Sequence, residues 1–285
     1  MEGISARKVG LSACGALLRC HDRERFLSCL FAPAERRDAL FALYAFNHEV
    51  AKTAEVVSEP MLGQIRLQWW RDSLDGITVG EPREHEVVTP LAAAIKRYAL
   101  PMSPFERLID AREADLEPQP MADQSALETY AEATSSSLIE LALRVLHAPD
   151  PPTPRELEAG RCIGIAWALV GLLRAVPFHA QHKRLYLPQD LVDAEGLDVA
   201  ALFELKSSRS LAAVVRHVAQ RAKAQLDDGQ VRPNRRSLPA LLPATLAKGH
   251  LRRLRRADYD PFDPGVSQSE ASAWPLALAW LIGRL

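Results

Sequence analysis

The sequence predicts an all-α protein. Three observations carry that expectation. Apolar residues recur at intervals of three and four along most of the chain, nothing reads as a strand longer than three or four residues, and several periodic stretches are introduced by a proline. At 285 residues the chain is long enough for two average domains or one large helical one. The expectation is one domain over 1–285, with an N-terminal extension at 1–20 and an apolar helix at 264–285.

Residues 23–31 form an early helix, and Pro33, a natural first-turn residue, leads into the stretch that organises the rest. Within 40–75, Leu40, Leu43, Tyr44, Asn47, Val50, Ala51 and Ala54 share one stripe, so this is a buried or cavity-lining helix. Pro60 biases Glu59 toward extended backbone and ends it. A second stripe, Leu67, Trp70, Leu74 and Ile77, follows. Residues 76–90 are polar and turn-rich, hence a loop. Short helices are expected at 91–98 and 104–116, with a break at 117–123.

Over 124–147, Leu127, Tyr130, Ala131, Thr134, Leu138, Leu141 and Val145 fall on one side of a long helix. Successive prolines in 147–154 fix φ and make a rigid connector. The stretch 155–176 is apolar on most sides, which marks a central helix. Pro177 ends or kinks it, and 185–188 opens an irregular passage. Helical spacing returns over 208–226 through Leu211, Val214, Val215, Val218 and Ala222. Two closing helices are expected at 238–256 and 270–285.

Hydrophobic residues make up 48% and charged ones 25%, the balance of a soluble globular protein. A formal net charge of −1 carries no polyanion signature and argues against nucleic acid as the main partner. Cys14, Cys20, Cys29 and Cys162 lack metal-ligand spacing and read as reduced thiols in a reducing compartment. No segment approaches the roughly 20 apolar residues that span a bilayer. Residues 1–20, with Arg7, Lys8 and Arg19, read as a plain first helix ahead of a transit peptide, and a secretory signal is not expected.

Two segments bear on surfaces. Residues 248–256, KGHLRRLRR, would meet anionic lipid head groups or an acidic partner, or form a solvated face balanced by Asp258, Asp260 and Asp263; the near-zero charge favours the last. Residues 274–285, WPLALAWLIGRL, are a docking helix or a surface anchor, docking being the commoner case. Together they make peripheral membrane contact plausible.

Ala42-Leu43-Tyr44-Ala45-Phe46, Leu108-Ile109-Asp110 with Asp115-Leu116, Leu127-Glu128-Thr129-Tyr130, Gly164 through Leu173-Arg174, and Arg184-Leu185-Tyr186-Leu187-Pro188 stand in a serial order that resembles the squalene and phytoene synthase family. The resemblance implies an isoprenoid synthase fold around a hydrophobic cavity, with diphosphates and Mg²⁺ at its mouth. In that family two pairs of aspartates four residues apart share the metal ions, since such residues stack on one helix face. Here the matching positions are Ala51 and Glu55, then Ala175 and His179, and Gly171 stands for the usual asparagine. Lys52 adds a positive charge beside the first pair, and Glu55 with Glu59 straddles a helix end. Departure of a diphosphate depends on metal ions held by hard oxygens. No catalytic residue, metal or other cofactor is therefore expected, and Mg²⁺ only if the chain is a prenyltransferase after all.

What survives of that site is Arg174, Lys183 and Arg184, able to hold an anion, and Tyr44, Tyr130 and Tyr186, able to line a cavity. The plainer expectation, which we favour, pairs Arg174 with a carboxylate and packs the tyrosines in the core. His179 and His182 are expected in a solvated loop, and Asp110, Glu113 and Asp115 on a solvated face. Ala45-Phe46-Asn47-His48-Glu49, Val57-Ser58-Glu59, residues 65–70, residues 130–134 and Gly164-Ile165-Ala166-Trp167 resemble the non-synthase branch that includes mitochondrial complex I assembly factors. That branch likewise lacks the aspartate pairs. It implies a catalytically degenerate protein serving respiratory complex I, with its subunits or assembly intermediates as partners. Its place would be cytoplasmic or peripheral at the inner membrane, on the matrix side in a mitochondrion. A divergent head-to-head prenyltransferase and a binder of an isoprenoid, quinone or membrane lipid remain as alternatives.

Overall fold

The computed structural model describes residues 10–117, 119–267 and 272–285, and among them every regular element is a helix. Arg7, Lys8 and Glu270 lie outside the described residues. Side-chain caps set the first starts: Ser12 accepts from the Gly15 N–H ahead of α1 (Ala13–His21), and Asp22 from the Arg25 N–H ahead of α2 (Arg23–Cys29). Pro33 is the N-cap of α3 (Ala34–Ala51) and stands just outside the first turn. α3 buries Leu40 through Asn47 without interruption because it packs on α1, α6 and α9 at once. After α4 (Thr53–Val56), Glu59 is extended at φ −135° and ψ 142°, and Pro60 opens α5 (Pro60–Thr78).

Leu67, Trp70 and Leu74 of α5 face inward as the stripe required. α5 runs to Thr78 and α6 (Val88–Tyr98) starts at Val88, so the loop expected over 76–90 is shorter at both ends. α7 (Ser103–Ala111) passes into a 3-10 turn, Arg112–Leu116. The long helix expected over 124–147 is one rod with an altered middle: α8 (Gln124–Ala131), a π-helical turn (Glu132–Ser136) and α9 (Ser137–His147). A close approach accompanies the turn. Gly164 lies so near it that a Cβ would stand 2.5 Å from the Cα of Ser136, whose hydroxyl donates to the Arg161 carbonyl at 2.7 Å.

Gly164 belongs to α10 (Pro154–Arg174), which starts in a capping box between Thr153 and Glu156 and packs on α8, the π turn, α9, α14 and α16. It is the central helix its all-round apolarity demanded. Pro177 does not kink it, since α10 stops at Arg174 and the proline sits in the first turn of α11 (Val176–Gln181). Then follow α12 (Gln189–Ala194), α13 (Val199–Phe203), α14 (Arg209–Asp228), α15 (Leu238–Leu241), α16 (Pro243–Arg256), α17 (Pro264–Ser267) and α18 (Ala273–Ile282). The helix expected over 238–256 is divided before Pro243.

Buried apolar side chains from Cys14 to Ala279 make one contiguous cluster. At its middle the Phe46 ring meets Trp70 and Phe105 edge-on, at 5.3 and 5.4 Å between centroids. α18 both docks and exposes: Leu276 and Ala279 are buried, while Trp274, Leu278, Leu281 and Ile282 face outward. No described helix is long and apolar enough to cross a membrane.

Candidate functional site

The ends of α3 and α8, the 3-10 turn and the α10–α11 junction converge on a cavity of about 280 Å³. Ala51 and Glu55 form one wall, Arg112, Asp115 and Tyr130 another, and His179, Arg184 and Tyr186 close it. Asp115 is its centre. The solvated position expected for this carboxylate is wrong: the tighter winding of the 3-10 turn rotates it inward, where it is 5% exposed. Asp110 and Glu113 do stay on the surface, both paired with Arg71 at 2.7 Å.

Asp115 Oδ1 accepts from the Tyr130 hydroxyl at 2.7 Å and the Tyr186 hydroxyl at 2.9 Å, and Oδ2 accepts from Arg112 at 3.0 Å. Arg112 also donates to the Tyr130 oxygen at 2.7 Å. Burial alone would weaken the Arg112 charge, but Tyr130 and Asp115 outweigh it and hold its pKa above the ordinary arginine range. Burial, with Asp115 adding to it, lifts both phenols well above their usual range, so they act as neutral donors. Arg184 donates to the backbone carbonyls of Asp115 at 3.0 Å and Ala54 at 2.8 Å, and so fastens the 3-10 turn to α4.

His179 is also misplaced by the solvated-loop expectation. It lies on α11 with its ring 4.5 Å from that of Tyr186, and its Nδ1 is buried without a hydrogen-bond partner. Burial pushes its pKa down to about 4, against the pull of Asp115, so the imidazole is neutral near pH 7. His182, at the C-cap of the same helix, is exposed as expected.

The other sequence candidates sit elsewhere. Arg174 pairs with Glu24 at 2.9 Å, and Glu24 also meets His250 Nε2 at 2.6 Å, so this arginine is spent on a carboxylate away from the cavity. Tyr44 is 3% exposed in the core, with the Arg25 guanidinium 5.6 Å over its ring. Lys183 is exposed at a left-handed φ of 53°, and Ala175 caps α10; neither joins the wall. Lys52 turns to Glu49, which Arg66 also holds at 2.8 Å. Arg112 was not anticipated. Its only signal is the three-residue spacing to Asp115 in a helical stretch.

The donors do not fit Mg²⁺. The wall offers two carboxylates, and the oxygens of Asp115 are already taken by two hydroxyls and a guanidinium. Arg112 and Arg184 stand where a dication would need oxygen ligands. Among the described residues no group of three or more His, Cys, Asp and Glu side chains is placed to share a metal ion. The volume lies near the lower end of small-molecule sites, ~300 Å³.

The chain matches the squalene/phytoene synthase family over residues 18–275. It is 33% identical over 270 residues to complex I assembly factor 6 of Bos taurus, an alignment covering 93% of this chain and 79% of that one. It is 24% identical over 262 residues to the chloroplastic phytoene synthase 3 of Zea mays, covering 90% and 61%. Among solved structures, a dehydrosqualene synthase in complex with ligand matches with a TM-score of 0.80 at 17% identity, over 95% of this chain and 93% of that one. At that identity the likeness is one of fold.

Proposed function

The chain belongs to the squalene/phytoene synthase family, and from that premise we propose that it keeps the synthase scaffold without the synthase chemistry and serves the assembly of respiratory complex I. The observation that carries this reading is Asp115: a carboxylate bound to Arg112 and two tyrosine hydroxyls inside the cavity. A prenyl diphosphate leaves only when its charge is neutralised, and a cavity whose central carboxylate is committed to a guanidinium and two phenols, with Glu55 alone beside it, is a poor site for the magnesium that would do so. The likeness to complex I assembly factor 6 supports the assembly role. Its partners are complex I subunits or intermediates, and its place is cytoplasmic or peripheral at the inner membrane.

Deleting the gene tests this. The expected result is a loss of assembled complex I on native gels, restored by the wild-type chain and by Glu55→Ala. Purified protein with Mg²⁺ and farnesyl or geranylgeranyl diphosphate should release no diphosphate. Normal complex I in the deletion strain, or steady diphosphate release, overturns the reading.

The unpartnered Nδ1 of His179 favours a second reading, a single neutral polar head group such as a quinone carbonyl held in the cavity. Such a ligand would raise thermal stability by mass action without being turned over.

A further inference from the structure

Away from the Asp115 cavity, the start of α10, the segment after α14 and α16 enclose another, of about 440 Å³, whose charge is one-sided. Arg155, Arg232, Lys248 and Arg284 reach it from four separate segments, and among the described residues no Asp or Glu stands in its wall. Ile163, Leu226, Val231 and Ala244 give it an apolar floor. Arg155, Arg232 and Arg284 are exposed and make no ion pair among the described residues. Arg161 of the same helix and Arg236 of the same loop do find carboxylates, Glu158 and Asp150. Lys248 donates to the Leu285 carbonyl at 3.2 Å, which ties the residues after α18 to this cavity. The basic tract continues along α16, where Lys248 lines an adjoining cavity with Arg252 and Arg255.

Directly beside it lies the uncovered face of α18. Trp274, Leu278, Leu281 and Ile282 fall at intervals of four, three and one, hence on a single stripe, and are 79%, 55%, 64% and 58% exposed. The stripe ends at Gly283, whose left-handed φ of 67° stops the helix, and the next residue is Arg284 of the basic cavity. On the docked side the Arg235 guanidinium lies 4.9 Å over the Trp280 ring.

We propose that these two features form one docking surface for a bilayer rich in anionic phospholipid. The basic cavity takes a lipid phosphate, and the stripe of α18 sinks into the boundary between head groups and acyl chains. An apolar helix face edged by tryptophan and cations is suited to that boundary and needs no spanning length. Three arginines that make no ion pair among the described residues, with Lys248 beside them, supply the attraction to an anionic surface. This deepens the membrane-peripheral placement proposed above and is independent of the assembly role, so lipid alone tests it.

The experiment is co-sedimentation of the full chain with phosphatidylcholine vesicles, with and without phosphatidylglycerol, at fixed ionic strength. The chain should partition onto the anionic vesicles and only weakly onto the neutral ones. Arg232→Glu with Arg284→Glu should lower that partition by at least about tenfold. Leu278→Ser with Leu281→Ser should lower it to a similar extent, both pairs keeping the wild-type melting temperature. Trp274→Ser should diminish the blue shift of tryptophan emission on vesicle binding. Equal binding to neutral vesicles, unchanged binding by the charge-reversed pair, or self-association through α18 in place of vesicle binding would each overturn the proposal. So would saturation of the cavity by inorganic phosphate in a chain that never sediments with lipid.

Discussion

The hydroxyl of Tyr130 donates a 2.7 Å hydrogen bond to Oδ1 of Asp115, while Arg112 holds Oδ2 at 3.0 Å. With the Asp115 side chain almost wholly buried, Asp115→Asn leaves the Arg112 guanidinium inside the protein without its counter-charge. Urea unfolding should show a loss of about 3–5 kcal/mol. Tyr130→Phe removes the donor to Asp115 Oδ1, which Tyr186 still serves, and the acceptor for Arg112, which Asp115 still serves, and should cost less, about 1.5–3 kcal/mol. Replacing the pair together, Arg112→Met with Asp115→Leu, should cost clearly less than the sum of the single changes, because neither charge is then stranded.

Two glycines of α10 should respond to alanine with opposite signs. A methyl group at Gly164 meets the Ser136 backbone at 2.5 Å, and backbone inside a π turn cannot swing aside as a side chain would. Gly164→Ala should therefore cost about 3 kcal/mol. At Gly171 nothing lies within 4 Å of the added methyl. Gly171→Ala should raise stability by roughly 0.5–1 kcal/mol, since alanine loses less conformational freedom in a helix. Melting curves of the two variants decide it.

Helices were legible because burying one face imposes a three-to-four period, and their ends were less so. Gly76 reads as a breaker, yet it lies inside α5, and the stop comes only at Gly80, with a left-handed φ of 87°, where the Glu81 N–H turns back to the Gly76 carbonyl at 2.7 Å. At the cavity, the replacements at Ala51, Glu55 and His179 could be read directly, since they follow from serial position. The side on which Asp115 lies could not. A change from α to 3-10 winding shifts the phase by which facing is inferred, and three acids close together in 110–115 give no hint of which one turns inward. Arg174 was ambiguous for a different reason: its partner, Glu24, is 150 residues away. Spacing along one helix carries no information about a contact made across the fold.

Thiol reactivity should divide the cysteines one against three. Cys20 is exposed, while Cys14, Cys29 and Cys162 are buried. Burial also pushes Cys14 and Cys162 up to about 11, which removes the thiolate that would react. A chromogenic disulfide at pH 8 should modify one thiol quickly in the native protein and the remaining three only as it unfolds. Rapid native modification of more than one would show that the α1–α3 or α10–α14 packing opens readily.

The His179 imidazole should leave a mark on stability at mildly acidic pH. Its folded pKa is about 4, against an ordinary value of 6.5, because burial beside Tyr186 disfavours the imidazolium. As pH falls, the unfolded chain takes up this proton first. The contribution is therefore complete above pH 6.5 and is lost as pH falls from 6.5 through 4, with an upper limit of about 3 kcal/mol. His48 and His250 are also lowered by burial and lose stability in the same direction, so the wild-type slope alone does not isolate one group. The comparison with His179→Asn does. Asparagine cannot titrate, so the gap between the two unfolding free energies should be constant above pH 7 and move in favour of the variant as pH falls toward 4. Parallel curves across that window would mean that His179 is protonated as readily in the folded protein as in water, and that the cavity is open to solvent around it.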